Sequence, residues 1–292
     1  MFICNIKGLR TMLEVKNLTK AFGKRVVLNR LSVTLTPHVY GLLGQNGSGK
    51  TTLIRCLTHL YKEGEVTVFI DGACSGNVFD YLDNVGYLPQ RFGLYPELSV
   101  NATLELLANL KGIDKQHAHP EIERVLALVN LSDRGNDRVG SLSGGMVRRL
   151  GIAQALLGDP PILFFDEPTA GLDPEERLRF KNLIADIKGQ RIIVISTHIV
   201  EDVEATCDRI LILHNQGILV NGTNDDIRHI ARGKVYDISE SDLDRLSGDY
   251  NIFKKYDRVG EVRFRILANT PQQLTPCEPE IEDGYLCTIK SV

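Results

Sequence analysis

One short segment constrains the fold of this chain more than any other: a glycine-rich loop between an apolar run and a helical pattern. Residues 40–43 form a short apolar run, and residues 51–60 repeat apolar side chains at helical spacing. The loop between them fits the pattern G-x-x-x-x-G-K-[ST], with the residues Gly44, Gln45, Asn46, Gly47, Ser48, Gly49, Lys50 and Thr51. A strand, a tight loop and a helix in this order predict a phosphate-binding α/β fold.

The composition of this loop matches the chemistry of a triphosphate. Glycines let backbone N–H groups turn inward around phosphate oxygens, where a Cβ would obstruct them. The helix that begins near Gly49 directs its positive end at the anion. Lys50 supplies a compact charge to the β- and γ-phosphates, and the Thr51 hydroxyl is placed to ligate magnesium. The alternative is a glycine-rich turn with a chance lysine, which a random chain of this length contains on the order of once in a hundred cases.

A second candidate site follows an apolar strand later in the chain. Residues 162–165 are apolar, and they lead directly into Asp166 and Glu167. Asp166 is a candidate magnesium ligand, and Glu167 is a candidate for polarising an attacking water. Alone, such a pair is more often a strand end with solvated acids. Beside a phosphate loop the metal-holding interpretation is favoured, because triphosphate chemistry needs an acid of this kind.

The remaining pattern alternates strands with helices, which predicts a layered α/β fold. Two helical stretches lie between 99 and 131, and Gly112 and Pro120 are expected to separate them. A further helix is predicted over 144–157 with Ser143 as its N-cap. Residues 225–292 predict a small α+β accessory segment, in which Val262–Ile266 and Tyr285–Ile289 alternate as strands do.

Composition and charge exclude several classes of protein. The formal net charge is −3 with no long basic tract, so no nucleic-acid footprint is evident. The six cysteines form no C-x-x-C pair and no zinc-ligand spacing, which indicates ordinary reduced cysteines. No apolar run approaches the roughly 20 residues that span a bilayer. Residues 1–11 precede the regular pattern and are expected to be an N-terminal extension.

Further short motifs, in a fixed order, resemble the ATP-binding-cassette (ABC) family. A signature-like segment lies between the phosphate loop and the Asp166 strand: Leu142, Ser143, Gly144, Gly145 and Met146. Gln90 resembles the glutamine loop, the segment 170–173 resembles the D-loop, and His198 resembles the switch histidine. Phe22 resembles the aromatic residue that stacks on adenine. The resemblance covers about residues 13–222.

The resemblance implies a fold and a division of the chain. The expected fold is a P-loop NTPase of ABC type, with a mixed-sheet core, an N-terminal antiparallel β subdomain and an inserted helical subdomain near residues 92–140. The nucleotide-binding domain would cover residues 12–224, and residues 225–292 would form the accessory C-terminal domain.

The same resemblance implies roles for individual residues. ATP would bind Phe22 and residues 44–52, through Thr52, and would be covered by Ser143, Gly144 and Gly145 of a second copy. Magnesium would be held by Thr51, Gln90 and Asp166. The catalytic set would comprise Glu167, His198, Lys50, Gln90 and Asp173.

Several of these assignments have structural alternatives. Phe22 could be a core aromatic, Gln90 a solvated loop residue and His198 a structural histidine. Ser143 could be only a helix cap. The sequence also departs from the family pattern. Met146 stands where glutamine is commoner, so a side-chain contact to the nucleotide sugar is in doubt, whereas Phe22 keeps the ring that stacking needs.

The function that the resemblance implies is ATP hydrolysis in a homodimer that powers a transporter. Residues 88–96 and 173–177 look like those of bacterial multidrug, antibiotic and polysaccharide-type exporters. Separate transmembrane permease subunits would hold the chain at the cytoplasmic face of the cell membrane. Neither nucleic acid nor a covalent cofactor is expected. The alternatives are a soluble ABC ATPase acting on ribosomes or nucleic acid, and a nucleotide-binding module without turnover.

Overall fold

The computed structural model describes residues 11–61, 65–70, 73–74, 77–270 and 272–290. Its strands, in chain order, are β1 (Met12–Phe22), β2 (Arg25–Leu35), β3 (Val39–Leu43), β4 (Glu65–Ile70), β5 (Ala73–Cys74), β6 (Val85–Leu88), β7 (Ile162–Asp166), β8 (Ile192–Thr197), β9 (Arg209–His214), β10 (Gly217–Thr223), β11 (Val235–Ser239), β12 (Tyr250–Arg258) and β13 (Glu261–Ala268). The expected extension falls outside these residues except for Thr11.

The helices carry the remaining regular structure of the described chain. They are α1 (Lys50–Leu57), α2 (Val78–Leu82), α3 (Val100–Leu110), α4 (Lys115–Leu128), α5 (Gly144–Leu156), α6 (Pro174–Ile187), α7 (Val200–Thr206), α8 (Asn224–Ile230) and α9 (Ile281–Lys290). Short 3-10 turns cover Ser132–Arg134, Val139–Ser141 and Glu240–Arg245.

The central sheet is mixed, as the family resemblance implies. Its strand order is β10-β9-β3-β8-β7-β6, with parallel pairing from β9 to β6 and antiparallel pairing between β10 and β9. A separate antiparallel sheet of order β2-β1-β4-β5 comes from the N-terminal part of the chain. The three strands of the accessory segment form a third sheet, β11-β13-β12. The α/β expectation is therefore confirmed.

Strand β7 shows why the inner strands of the central sheet have continuous apolar sequences. Ile162 and Phe164 belong to a hydrophobic cluster that also contains residues of the N-terminal sheet and of α1. Leu163 and Phe165 point to the opposite face and pack among the helices. Successive side chains of a strand alternate between faces, so the part of a strand that is covered on both faces is apolar at every position. Burial on both faces therefore accounts for the four apolar residues that precede Asp166.

The helical insert lies between β6 and α5, and it corrects one expectation. Gly112 ends the first stretch with φ +73°, a left-handed conformation that suits glycine. Pro120 does not separate the stretches, because it lies inside α4. Val125 and Leu126 lie one turn later and pack into the main core cluster. Tertiary packing of this apolar face overrides the helix-breaking tendency of the proline.

The C-terminal segment contains a second correction. Tyr285–Ile289 was expected to be a strand, but these residues belong to helix α9. Ile281, Tyr285 and Ile289 recur at a spacing of four residues and pack against the main core cluster. Gly284 allows the close approach of α9 to α8, because a Cβ there would overlap the carbonyl oxygen of Ile227. Packing against the core therefore determines the conformation of this segment.

Within the described ranges, none of the helices combines the length and apolarity needed to cross a membrane.

Candidate functional site

The phosphate loop runs from the end of β3 into the first turn of α1. Gly47 and Gly49 take φ values of +81° and +108°, which residues with a Cβ rarely adopt. The Lys50 ammonium folds back over the loop and donates hydrogen bonds to the carbonyl oxygens of Gly44 at 2.7 Å and Gln45 at 3.4 Å. Burial lowers the pKa of Lys50, and the nearby carboxylates Glu167 and Asp166 partly offset that shift.

Three neighbouring strands place the other polar groups beside this loop. Strands β3, β8 and β7 are parallel neighbours, so their carboxyl ends meet at one edge of the sheet. Leu43 pairs with Thr197 there, and Asp166 pairs with Ser196. Ligands of open α/β sheets bind outside this edge. The topology therefore brings together segments that are more than a hundred residues apart in sequence.

Asp166 is completely buried at this edge, and its two carboxylate oxygens differ in their surroundings. Oδ1 accepts hydrogen bonds from Ser196 Oγ at 2.5 Å and Thr51 Oγ1 at 3.2 Å. Oδ2 is buried without a hydrogen-bond partner among the described residues. A buried carboxylate oxygen without a protein donor is costly unless a cation compensates it. Asp166 and Thr51 thus fit a magnesium ion bound together with phosphate oxygens.

Glu167 lies directly after β7 in a left-handed conformation, with φ +49°. Its backbone N–H donates to the Ser196 carbonyl at 3.1 Å. The buried Glu167 carboxylate contacts two groups: Lys50 Nζ at 3.7 Å and His198 Nδ1 at 3.1 Å. The structure therefore places the Glu167 carboxylate in contact with both an ammonium and an imidazole at the end of the sheet.

Gln90 lies two residues beyond β6 and is exposed. The described contact of this residue is through its backbone, because its carbonyl oxygen accepts a hydrogen bond from Arg148 at 3.1 Å. The metal-ligand role of the Gln90 side chain remains a prediction.

The signature-like segment and the D-loop aspartate lie at exposed helix starts. Ser143 caps α5 by accepting a hydrogen bond from the Met146 N–H at 3.2 Å. Gly144 follows on the surface. Asp173 caps α6 by accepting from the Glu176 N–H at 2.8 Å. Within the described part of the chain, none of these three residues hydrogen-bonds to the phosphate loop. Their exposure leaves them accessible to a second molecule.

Phe22 ends β1 and is 47% exposed. Its ring meets the Tyr61 ring edge-on, with centroids 5.5 Å apart. The alternative of a core aromatic is therefore wrong for this residue. An exposed ring of this kind is suited to stacking on a planar base.

Sequence reasoning missed two residues that organise the site. Ser196 precedes the switch histidine by two residues; its hydroxyl donates a hydrogen bond to Asp166 and accepts one from the Glu167 N–H. For Arg148 the sequence predicts only a place in the helix over 144–157, although its guanidinium contacts the backbone of both Gln90 and Glu167. No local pattern distinguishes Arg148 from a solvated residue on a helix face, or Ser196 from an ordinary strand residue.

The fold and this site define a P-loop nucleoside triphosphatase of the cassette type. A model of the family described as "ABC transporter" matches residues 28–170. A curated relative, "Nod factor export ATP-binding protein I" of Burkholderia lata, is 34% identical over 86% of this chain and 84% of its own length. The chain belongs to the family of ABC transporter ATP-binding proteins, whose members are ATPases coupled to transport.

Other similar proteins agree with this assignment. "Linearmycin resistance ATP-binding protein LnrL" of Bacillus subtilis is 33% identical over 74% of this chain and 70% of its own. The solved "Structure of ATP binding subunit of ABC transporter" has 30% identity and a TM-score of 0.66, covering 75% of this chain and 92% of that chain. A cbiO1 structure from Clostridium perfringens supports the fold, with a TM-score of 0.65, 22% identity, and coverage of 74% of this chain and 89% of that chain.

Proposed function

We propose that this chain hydrolyses MgATP as a head-to-tail homodimer and thereby powers export through separate transmembrane permease subunits. The observation that carries the proposal is the contact of the Glu167 carboxylate with both Lys50 and His198. Beside it lies Asp166 Oδ2, which has no hydrogen-bond partner within the described part of the chain. These groups supply what in-line attack on a terminal phosphate needs. Lys50 provides positive charge for the phosphate oxygens, Asp166 a carboxylate for the metal, and Glu167 a base for the attacking water.

ATP binding uses the loop residues 44–52 and the ring of Phe22. The loop N–H groups and the N-terminus of α1 receive the phosphates. Lys50 exchanges its present carbonyl partners, Gly44 and Gln45, for phosphate oxygens of higher charge. Phe22 stacks on the adenine. Binding energy is therefore divided between a charged part and an aromatic part of the nucleotide.

Magnesium is the metal that this site fits. Asp166 and the Thr51 hydroxyl would hold it, and Gln90 would complete the protein ligands from the neighbouring loop. When bound, magnesium neutralises charge on the β- and γ-phosphates. The described residues contain no group of three or more His, Cys, Asp and Glu side chains of the kind that holds a metal alone. A site with few carboxylates and a triphosphate agrees with the coordination habit of this ion.

Hydrolysis is assigned to Glu167 and His198. The Glu167 carboxylate orients the attacking water and accepts its proton in the transition state. His198 holds that carboxylate through Nδ1 and contacts the γ-phosphate. Lys50 stabilises the charge that develops on the phosphoryl oxygens. The present contact between Glu167 and Lys50 gives way when the triphosphate enters, because the phosphates then pair with the ammonium.

The dimer accounts for the exposure of Ser143 and Gly144, which half-buried Gly145 follows. The start of α5 offers backbone N–H groups and a helix dipole to an anion. In a twofold assembly, this segment covers ATP held by the partner's phosphate loop, and each protomer contributes to both sites. Asp173, exposed at the start of α6, would connect the two sites.

Export through a permease is supported by the relatives. Two of the similar proteins are named for Nod factor export and for linearmycin resistance. The permease would hold the chain at the cytoplasmic face of the cell membrane, with the helical subdomain near residues 92–140 as the docking region. Copurification with a polytopic membrane protein tests this part.

Residues 12–224 are assigned to the nucleotide-binding domain and residues 225–292 to the accessory domain.

The hydrolytic assignment is tested with Glu167→Gln. The variant is expected to bind ATP but to release phosphate at least roughly 100-fold more slowly than the wild type, because it lacks the base. Glu204→Gln is the matched control, since Glu204 pairs with Arg228 on the surface. Near-normal phosphate release by Glu167→Gln would contradict the assignment, and so would an equal loss in the control.

A further inference from the structure

The guanidinium of Arg148 binds backbone carbonyls from both loops of the site. Nη1 donates to the Gln90 carbonyl at 3.1 Å and lies 3.4 Å from the Pro89 carbonyl. Nη2 donates to the carbonyls of Asp166 at 3.1 Å and Glu167 at 2.5 Å. Nε donates to the Pro168 carbonyl at 3.0 Å. One side chain thus joins the segment after β6 to the segment after β7.

The chemistry of this contact requires arginine. A guanidinium presents five N–H donors in a rigid plane, whereas a lysine ammonium is a point charge on a flexible stem. Burial lowers the pKa of Arg148, partly offset by the charges of Asp166 and Glu167. Each donor that loses its carbonyl would leave a desolvated polar group, which is costly. The Arg148 guanidinium therefore holds the segment after β6 and the segment after β7 in a fixed position relative to each other.

Arg148 also belongs to the helix that Ser143 caps. Helix α5 begins at Gly144, so Arg148 lies in its first two turns. The adjacent Arg149 has different partners: its guanidinium donates to the Val129 and Asn130 carbonyls of the helical insert. Position 148 is thus the one of the pair that ties the start of α5 to the catalytic loops.

We propose that Arg148 is a positioning residue that couples the protomer's own hydrolytic site to the orientation of its signature segment. The inference rests on the proposed function, because it assigns Gln90 and Glu167 to hydrolysis and Ser143 to the partner's ATP. Arg148 acts through the backbone carbonyls of these loops. A shift in the loops on ATP binding or hydrolysis therefore moves the start of α5, and with it the cover over the partner's site.

The test compares Arg148→Lys and Arg148→Gln with the wild type. We expect the kcat for phosphate release to fall about 10- to 100-fold, as misplacement of catalytic groups by about 1 Å does. ATP affinity should stay within about threefold, because the phosphate loop is unchanged. The Mg²⁺ concentration for half-maximal activity should rise, since Gln90 and Asp166 are displaced. A purely structural role would not move the kcat and the Mg²⁺ requirement while sparing ATP affinity.

Arg124→Lys is the matched control. Arg124 also donates to a backbone carbonyl of α5, that of Leu156, but at the opposite end of the helix. Its kcat should remain within about threefold of the wild type, because it touches neither loop. Equal losses of kcat in Arg124→Lys and Arg148→Lys would overturn the proposal, and so would a wild-type kcat and Mg²⁺ requirement in Arg148→Lys.

Amide hydrogen exchange separates this inference from the proposed function. In Arg148→Lys, exchange should increase in residues 88–92 and 166–168 and at the start of α5, and the melting temperature reports whether the variant folds. This readout needs no turnover, so it still tests the coupling if the wild type fails to hydrolyse ATP. Unchanged exchange in all three segments would overturn the coupling, whereas absent wild-type hydrolysis would overturn the proposed function.

Discussion

The buried ion pair that holds the C-terminal helix offers the sharpest prediction about the accessory segment. Asp283 on α9 is completely buried, and Arg265 on β13 is almost so. The pair is bidentate, with Nε to Oδ1 at 3.0 Å and Nη2 to Oδ2 at 2.5 Å. Asp283 also accepts from the Glu280 N–H at 2.6 Å. One carboxylate therefore fixes both the start of α9 and its attachment to the third sheet.

Asp283→Ala removes one partner and leaves the other desolvated. Among the described residues, Arg265 would keep the Glu278 carbonyl at 3.1 Å and the Glu280 carboxylate at 3.6 Å. Breaking a buried pair in this way costs about 3–5 kcal/mol in the free energy of unfolding. For a chain of this size, that cost corresponds to a drop in melting temperature on the order of 10 °C.

Urea denaturation and calorimetry measure this loss. The matched control is Asp225→Ala, because Asp225 pairs with Arg228 while its side chain is 92% exposed, and an exposed pair contributes about 0–1 kcal/mol. The double variant Asp283→Ala with Arg265→Met should recover part of the loss, since no buried charge is left alone. A loss below about 1 kcal/mol in Asp283→Ala would refute the reasoning.

Three further predictions concern single side chains. Lys50→Ala should weaken ATP binding at least about tenfold in a fluorescence titration, because the loop loses its charge for the phosphates; unchanged affinity would refute its role. Phe22→Ala should lose about 1–3 kcal/mol of nucleotide binding while Phe22→Tyr retains it; equal affinities for both variants would show that the ring does not stack. Burial raises the pKa of the Cys207 thiol, so this thiol should resist alkylation at pH 8 in the native protein and react in urea; rapid native labelling at Cys207, read by mass spectrometry, would contradict its burial.

Local signals predicted the parts of the fold that depend on neighbouring residues. The phosphate loop, the doubly buried strand β7 and the Ser143 cap of α5 all rest on short stretches of sequence, and the structure contains each of them. The mixed central sheet followed from the alternation of strands and helices together with the family resemblance. These features can be predicted from nearby residues, because burial on both faces of a strand requires apolar residues and a helix start favours a capping residue such as serine.

The expectations that failed depend on contacts distant in sequence. Tyr285–Ile289 alternates like a strand, but the docking of α9 on α8 and the core makes it helical. Pro120 looked like a helix boundary, yet packing of the surrounding apolar face keeps it within α4. Arg148 went unnoticed because its partner Gln90 lies 58 residues away. A local sequence pattern does not indicate which distant backbone carbonyls a side chain contacts in the folded protein.

ATP-dependent dimerisation tests the central claim most directly. In Glu167→Gln with ATP and Mg²⁺, light scattering on a sizing column should give twice the monomer mass, because slow hydrolysis preserves the nucleotide that joins the protomers. Adding Ser143→Arg should restore the monomer by blocking the cover over the partner's phosphates. A monomer at saturating ATP, or a dimer that forms equally well without nucleotide and with Ser143→Arg, would contradict the account.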